Sequence, residues 1–325
     1  MSAQHGSADG RPHAHTPGHS AAPGHSHSHS HGDQITDLDW DDLATHLEEN
    51  GELQLPALHR TAARLSELFA PGHKVRRILD IGSGPGVMTC ALAEAFPDAE
   101  VVAVDGAPGL LDRALVRAER LGLGGRVSVR HAELPEGLSG GEPGDGGLGR
   151  ADLIWSSKAV HHLGDQQDAL TALTGLLRPG GVLAVAEGGL PMRFLPREIG
   201  IGRPGLQARL DVAQEYWFEV MRSGLPGSVS VVEDWPAMFG RAGLGAVGSF
   251  TTLLDLPAPL GATARAYLHT QLTRLSETTG ESLDPEDRAT LALLVDPDSP
   301  EGILHRPDAF LLSATTVFTG VRPAR

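Results

Sequence analysis

Ile78-Leu79-Asp80-Ile81-Gly82-Ser83-Gly84-Pro85-Gly86 is the stretch that decides how this chain folds. Apolar residues around a single acid read as a buried strand. The three glycines that follow read as a turn opening a helix at Val87. Glycine permits positive φ there and lets a ligand approach the main chain without meeting a Cβ. The first helical turn adds N–H groups that lack an intrahelical partner. The spacing is G-x-G-x-G, with Val87 where a dinucleotide fingerprint of the form G-x-G-x-x-G has its third glycine. Asp80 falls at the carboxyl end of the strand, where open α/β sheets bind ligands. A carboxylate at that point attracts a positively charged group and repels a pyrophosphate.

Working outward, Ile78–Ile81, Val101–Val104, Val127–Val129, Leu153–Trp155 and Val182–Ala186 read as short buried strands. They alternate with the helical stretches Val87–Phe96, Leu110–Leu121 and Gln167–Leu177. Such alternation implies βαβ units and a parallel sheet covered on both faces. The fold class is α/β, Rossmann-like and doubly wound. Asp105 ends the second strand, where an acid can take both hydroxyls of a ribose. It can equally cap the helix that Gly106-Ala107-Pro108 opens. At the third strand's end, Ala132 and Glu133 can border an adenine, and Glu133 can accept from its amino group.

Residues 1–34 form a tail of different composition. Its first 32 residues hold eight of the sixteen histidines. With so little to bury, it is expected to be disordered, its His-Ser alternation giving opportunistic affinity for divalent metal. Residues 35–72 read as two helices, one around Leu38–Leu47 and one over Leu58–Phe69, covering the cofactor site. Residues 73–187 are the cofactor-binding α/β core, and the glycine-rich run 137–149 within it reads as a surface loop. Residues 188–232 are expected as a helical cap over the acceptor pocket, carrying the amphipathic helix Leu206–Met221. Residues 233–325 complete the core with a helix near Trp235–Ala242, strands near Val247–Leu254 and Phe310–Val321, and a helical insertion at 261–295.

Composition narrows the function. The formal net charge of −15 disfavours broad contact with a nucleic acid backbone. One cysteine, Cys90, leaves no internal disulfide and no cysteine-rich zinc site. No apolar run suits a signal peptide or a membrane span, so a cytoplasmic location is expected. No metal site is expected outside the tail. A homodimer stays open.

Taken together, Asp80–Gly86, Asp105, the stretch from Ala151 to Leu163 and Leu177-Arg178-Pro179-Gly180-Gly181 resemble the class I S-adenosylmethionine-dependent methyltransferases of small-molecule type. The resemblance covers roughly residues 75–187. It implies a seven-stranded sheet of order 3-2-1-4-5-7-6 with the last strand antiparallel. It also implies S-adenosylmethionine as cofactor and S-adenosylhomocysteine as product. Within it, Asp80, Gly82, Ser83, Gly84 and Gly86 would hold the methionine end, Asp105 and Gly106 the ribose, and Ala132 and Glu133 the adenine. Ser156 and Lys158 would add contacts from beyond the fourth strand.

Methyl transfer needs the nucleophile, methyl and sulfur held in line. A base is required only where the acceptor sheds a proton. His162, four residues after Lys158, is the preferred base, as in related O-methyltransferases. Those enzymes follow their histidine with Asp-Trp, where this chain has Leu163-Gly164. His161 is the second candidate, and Glu187 can orient an acceptor or cap a turn at Gly188-Gly189. Tyr216 and Phe218 are candidate pocket walls, with Trp217 as core. Arg193, Arg197, Arg203 and Arg209 are candidates for an acceptor's carboxylate or phosphate, or are simply surface charges. The expected function is methyl transfer to a small-molecule acceptor, with O- or N-methylation favoured. The rival readings are a nicotinamide-dependent oxidoreductase and a non-catalytic protein that binds metal or S-adenosylmethionine.

Overall fold

The computed structural model describes residues 40–70, 72–138 and 147–324. The tail lies outside the described residues. Five parallel strands run from one edge of a single sheet: β1 (Arg77–Ile81), β2 (Glu100–Asp105), β3 (Val127–His131), β4 (Ala151–Ser157) and β5 (Leu177–Arg193). At one edge β7 (Leu311–Val321) runs antiparallel between β5 and β6 (Gly245–Leu256). The sheet order is β3-β2-β1-β4-β5-β7-β6, as expected from the sequence.

The alternation of side chains along β1 explains why its sequence is apolar throughout. Ile78 points to one face, into a cluster with Leu92 and Ala93 of α2 (Val87–Ala95) and Leu65 of α1 (Trp40–Ser66). Leu79 points to the other, with Leu170 and Leu173 of α4 (Gln166–Leu176) and Phe239 of α6 (Trp235–Arg241). Each such fully buried aliphatic contributes about 1.5–3 kcal/mol relative to exposure. The remaining helix of the core, α3 (Pro108–Arg120), packs Leu111 and Ala114 against Ala103 of β2.

Two expectations are corrected. The two N-terminal helices are one helix, α1, of 27 residues with Pro56 inside it. Gly51 and Pro56 fall between the two expected helices, and packing outweighs their weak helix propensity. At Gly51 a Cβ would stand 2.4 Å from Val87 Cγ2, so this glycine lets α1 lie directly on α2. Most of the glycine-rich run, 139–146, lies outside the described residues; at its ends Leu138 and Leu148 are each only 3% exposed. Finally, β5 does not stop at Glu187. It continues to Arg193 beside β7, with a register shift between Ala186 and Gly189. Gly189 has φ +117, and a Cβ there would meet the Ala314 carbonyl oxygen at 2.1 Å. The glycine pair therefore marks a bulge and close strand contact, and not a turn.

Beyond β5, α5 (Leu206–Gly224), α7 (Ala262–Thr279) and α8 (Pro285–Val295) share a third core built on Leu210, Leu268, Leu272 and Leu291. The cap and the later helical insertion are thus one packed unit. Asp287 of α8, almost fully buried, joins them by accepting from Arg209 Nε (2.6 Å) and Arg203 (2.7 Å). Trp217 is 39% exposed, so it is not the core residue its helical spacing suggested.

Candidate active site

Carboxyl ends of the parallel strands open into a cleft of about 640 Å³. Its floor is the glycine loop. Gly82, Gly84 and Gly86 have φ of +69, +53 and +75. Their reasons differ: a Cβ on Gly82 would meet Ala159 at 2.5 Å, and one on Gly86 would meet Ala114 at 2.6 Å. Nothing stands within 4 Å of the corresponding point on Gly84. The first and third glycines serve packing; the middle one leaves main chain open to the cleft.

Two acids fix this loop. Asp105 accepts from Gly84 N–H and from Ala107 N–H, both at 2.9 Å, so it ties the glycine loop to the turn that leads into α3. Each carboxylate oxygen has two lone pairs, so both keep acceptor capacity for a ligand. Asp80 lies beneath, 2% exposed, with Oδ2 accepting from Thr89 Oγ1 at 2.6 Å. Burial raises its pKa to about 7, the Thr89 hydrogen bond opposes the rise, and the nearby Asp105 adds to it. Glu133 faces Gly106 across the cleft rim.

The other wall follows β4. Ser157, Lys158, Ala159 and His162 line the cleft. Lys158 has φ +52, a left-handed backbone that costs a non-glycine residue about 1–3 kcal/mol. Its side chain is open to the cleft, yet the protein crowded around it lowers its pKa, with Glu187 opposing. Crowding, then His161, also lowers His162, to about 4, although its ring is likewise open to the cleft. At neutral pH that ring is uncharged.

His161 and Glu187 stand behind this wall and do not line the cleft. His161 Nδ1 is 2.8 Å from Glu187 Oε2, and the second oxygen, Oε1, is buried without a partner. His161 packs its ring on His162 at 4.2 Å and on Phe218 at 5.4 Å. Arg222 of α5 donates to the carbonyls of His161 (2.6 Å) and Leu163 (2.7 Å), which pins the loop from outside.

Among the other expected residues, Gly86, Ala132 and Ser156 lie next to the cleft but outside its lining. Tyr216 and Phe218 do not wall it, nor does any residue from 188–232. Three of the four candidate arginines are engaged within the fold: Arg193 pairs with Asp211, and Arg203 and Arg209 with Asp287. Arg197 is exposed and does not line the cleft. His59 pairs with Glu94 at 3.1 Å, away from the cleft. The walls that sequence reasoning missed come from α1, with Asn50, Gln54 and Thr61, and from the late strands, with Thr252, Ser313 and Thr315. Polar residues at helical spacing within the apolar face of α1 are the signal for the first group. The second group had none, because its placement depends on sheet order.

Residues 79–183 match the model of a family described as a methyltransferase domain. Over those residues the core is similar to a methyltransferase domain. The chain is also 38% identical over 147 residues to the biotin biosynthesis bifunctional protein BioCD of Bordetella avium, covering 45% of this chain and 29% of that protein. It is 36% identical over 122 residues to trans-aconitate 2-methyltransferase of Methylobacterium radiotolerans, covering 37% and 42%. The chain thus spans less than half the length of these curated relatives. A methyltransferase from Geobacter sulfurreducens, solved with S-adenosyl-L-homocysteine, has 21% identity and a TM-score of 0.46 over 83% of this chain and 91% of that one. The matched segment contains Asp80, the glycine loop, Asp105, Glu133, Lys158, His161 and His162. No helix among the described residues is long and apolar enough to cross a membrane. No cluster of three or more metal-ligating side chains occurs among them.

Proposed function

We propose that this chain transfers a methyl group from S-adenosylmethionine to a small-molecule acceptor, with O- or N-methylation favoured, in the cytoplasm. The observation that carries this reading is the glycine loop held between a buried Asp80 and a bracing Asp105 at the edge of the cleft. The residues fit an adenosyl sulfonium amino acid. Open main chain at Gly84 admits close approach, a cationic group held over Asp80 would favour its ionised form, and Glu133 offers an acceptor at the rim. Asp80, Gly82, Ser83, Gly84, Asp105, Gly106, Glu133 and Lys158 would contact it, with Gly86, Ala132 and Ser156 shaping the loop and wall behind them. When bound, the cofactor supplies an activated methyl on a cationic sulfur.

The chain's own contribution is chiefly orientation. His162 faces the cleft with an uncharged ring that can accept a proton or a hydrogen bond. With a pKa of about 4 it is a weak base, which suits an acceptor that is acidic or already nucleophilic. Glu187 holds His161 in one orientation against His162, so this pair positions the base.

Calorimetry of S-adenosylhomocysteine beside NADH, on the chain with residues 1–32 deleted and on its Asp80→Ala variant, tests the reading. The expected result is micromolar binding of the homocysteine nucleoside alone, lost in the variant. Preference for NADH would establish the oxidoreductase alternative. Dependence of binding on the tail would favour a metal-linked binding protein.

A further inference from the structure

We infer that Lys158 is the carboxylate-binding residue of the cleft. The inference rests on the proposed methyltransferase reading and adds the chemistry of one ligand group to it. Lys158 is the one lysine or arginine that lines the cleft among the described residues. Charge in the cleft is divided. Asp80, Asp105 and Glu133 cluster along the tips of β1, β2 and the stretch after β3, whereas Lys158 stands beyond β4. Past it the lining is uncharged and hydroxylic, with Thr61, Thr252, Ser313 and Thr315.

The ammonium of Lys158 makes no hydrogen bond or ion pair to another described residue. Glu187 acts on it through space, but its Oε2 is engaged by His161. Arg222, the nearby cation outside the cleft, is committed to loop carbonyls. Lys158 therefore keeps its three N–H donors for a ligand.

Its main chain supports the same conclusion. The N–H of Lys158 donates to the Ala186 carbonyl at 3.1 Å, which fixes the root of the side chain. A left-handed backbone is one that glycine adopts without strain, so the fold carries strain to keep a lysine there. A carboxylate is the group whose charge and two acceptor oxygens match a lone ammonium in a partly enclosed cleft. It can belong to the amino-acid end of the cofactor or to the acceptor.

Lysines in this chain number two, Lys74 and Lys158, and Lys74 is exposed far along the chain, so amine labelling reads Lys158 with an internal control. The full chain is treated with an acylating reagent and the two lysines are quantified by mass spectrometry. This is done alone and with S-adenosylhomocysteine, 5′-deoxy-5′-methylthioadenosine (which lacks the amino-acid end), or methylthioadenosine plus tricarballylate. Protection of Lys158 by S-adenosylhomocysteine and not by methylthioadenosine assigns the carboxylate to the cofactor. Protection only on adding tricarballylate assigns it to the acceptor. In parallel, Lys158→Met should weaken the protecting ligand about 10- to 100-fold, and Lys158→Arg should restore most of that loss. Equal labelling under all conditions, or equal protection by methylthioadenosine, overturns the inference. If neither nucleoside binds the wild-type chain, the methyltransferase reading itself fails, a different outcome from an unprotected lysine in a chain that binds.

Discussion

Replacing Asp80 by asparagine should make the ligand-free protein more stable at neutral pH, although it removes a central residue of the proposed site. The carboxyl is buried, and its pKa rises from 3.8 to about 7. Between those values the folded protein keeps a proton that the unfolded chain has released. Stability from this group is therefore fully present below pH 3.8, falls as pH rises through the window, and is gone above about 7. A shift of about three units corresponds to about 4 kcal/mol. Asparagine has the same shape, can still accept from Thr89, and never ionises. The assay is urea unfolding by tryptophan fluorescence from pH 4 to pH 8.5, on wild type and Asp80→Asn. All other titrating groups are shared, so the difference isolates Asp80. It should be near zero at pH 4 and grow to about 4 kcal/mol in favour of the variant above pH 7. Parallel profiles for the two proteins would refute the reasoning, since they would mean that Asp80 ionises as easily folded as unfolded.

The glycine loop predicts a contrast between two identical substitutions. Gly84→Ala should cost about 1–2 kcal/mol of left-handed strain and remain folded with weakened ligand binding, whereas Gly86→Ala should cost more, because its methyl would overlap Ala114; thermal melting and calorimetry separate the two. Asp287→Asn should lower stability by about 1.5–3 kcal/mol at pH 7, as charge-assisted bonds to Arg209 and Arg203 are lost. The Arg209 hydrogen bond holds the Asp287 pKa below its ordinary value, so this contribution is present above pH 3.8 and lost as pH falls through the lowered pKa. Denaturation midpoints for wild type and variant should converge in acid. Arg222→Met should leave the fold intact but speed amide hydrogen exchange across residues 158–164, because the carbonyls of His161 and Leu163 lose their donor. Unchanged exchange there would mean the loop holds itself.

Sequence legibility followed how local each feature is. Ile78–Gly86 encodes strand, turn and helix within nine residues, and its alternation of faces survives intact in the sheet. Asp80 and Asp105 were readable because strand ends fix where side chains gather. The walls of the cleft were not. Thr252 and Thr315 reach it only because β7 inserts between β5 and β6, a pairing between segments far apart in sequence. Tyr216 and Phe218 looked like walls because the chain after Glu187 was expected to leave from the carboxyl end of the sheet. The strand instead runs on, carrying the following helix away from the opening. Glycines at 188 and 189 have the same composition signal whether they make a turn or a bulge, and only the partner strand decides. His161 and His162 were distinguishable by neighbours alone: one meets a carboxylate and the other the cleft.

α1 lies along the cleft from Leu47 to Thr61 and is fastened on both flanks. Glu48 and Glu52 reach Arg113 and Arg117 of α3 at 2.9 and 2.7 Å, while Arg60 and Thr61 bond to Leu253 and Thr252 of β6. These fastenings differ in kind. The α3 side is partly ionic and weakens as dissolved salt screens it, whereas the β6 side is made of neutral acceptors and scarcely responds. Raising ionic strength should therefore weaken the α3 edge of the helix, most at the more exposed Glu48–Arg113 pair, and leave the β6 edge unchanged. Because α1 walls the cleft, ligand binding at the proposed site should vary with salt even for an acceptor that carries no charge.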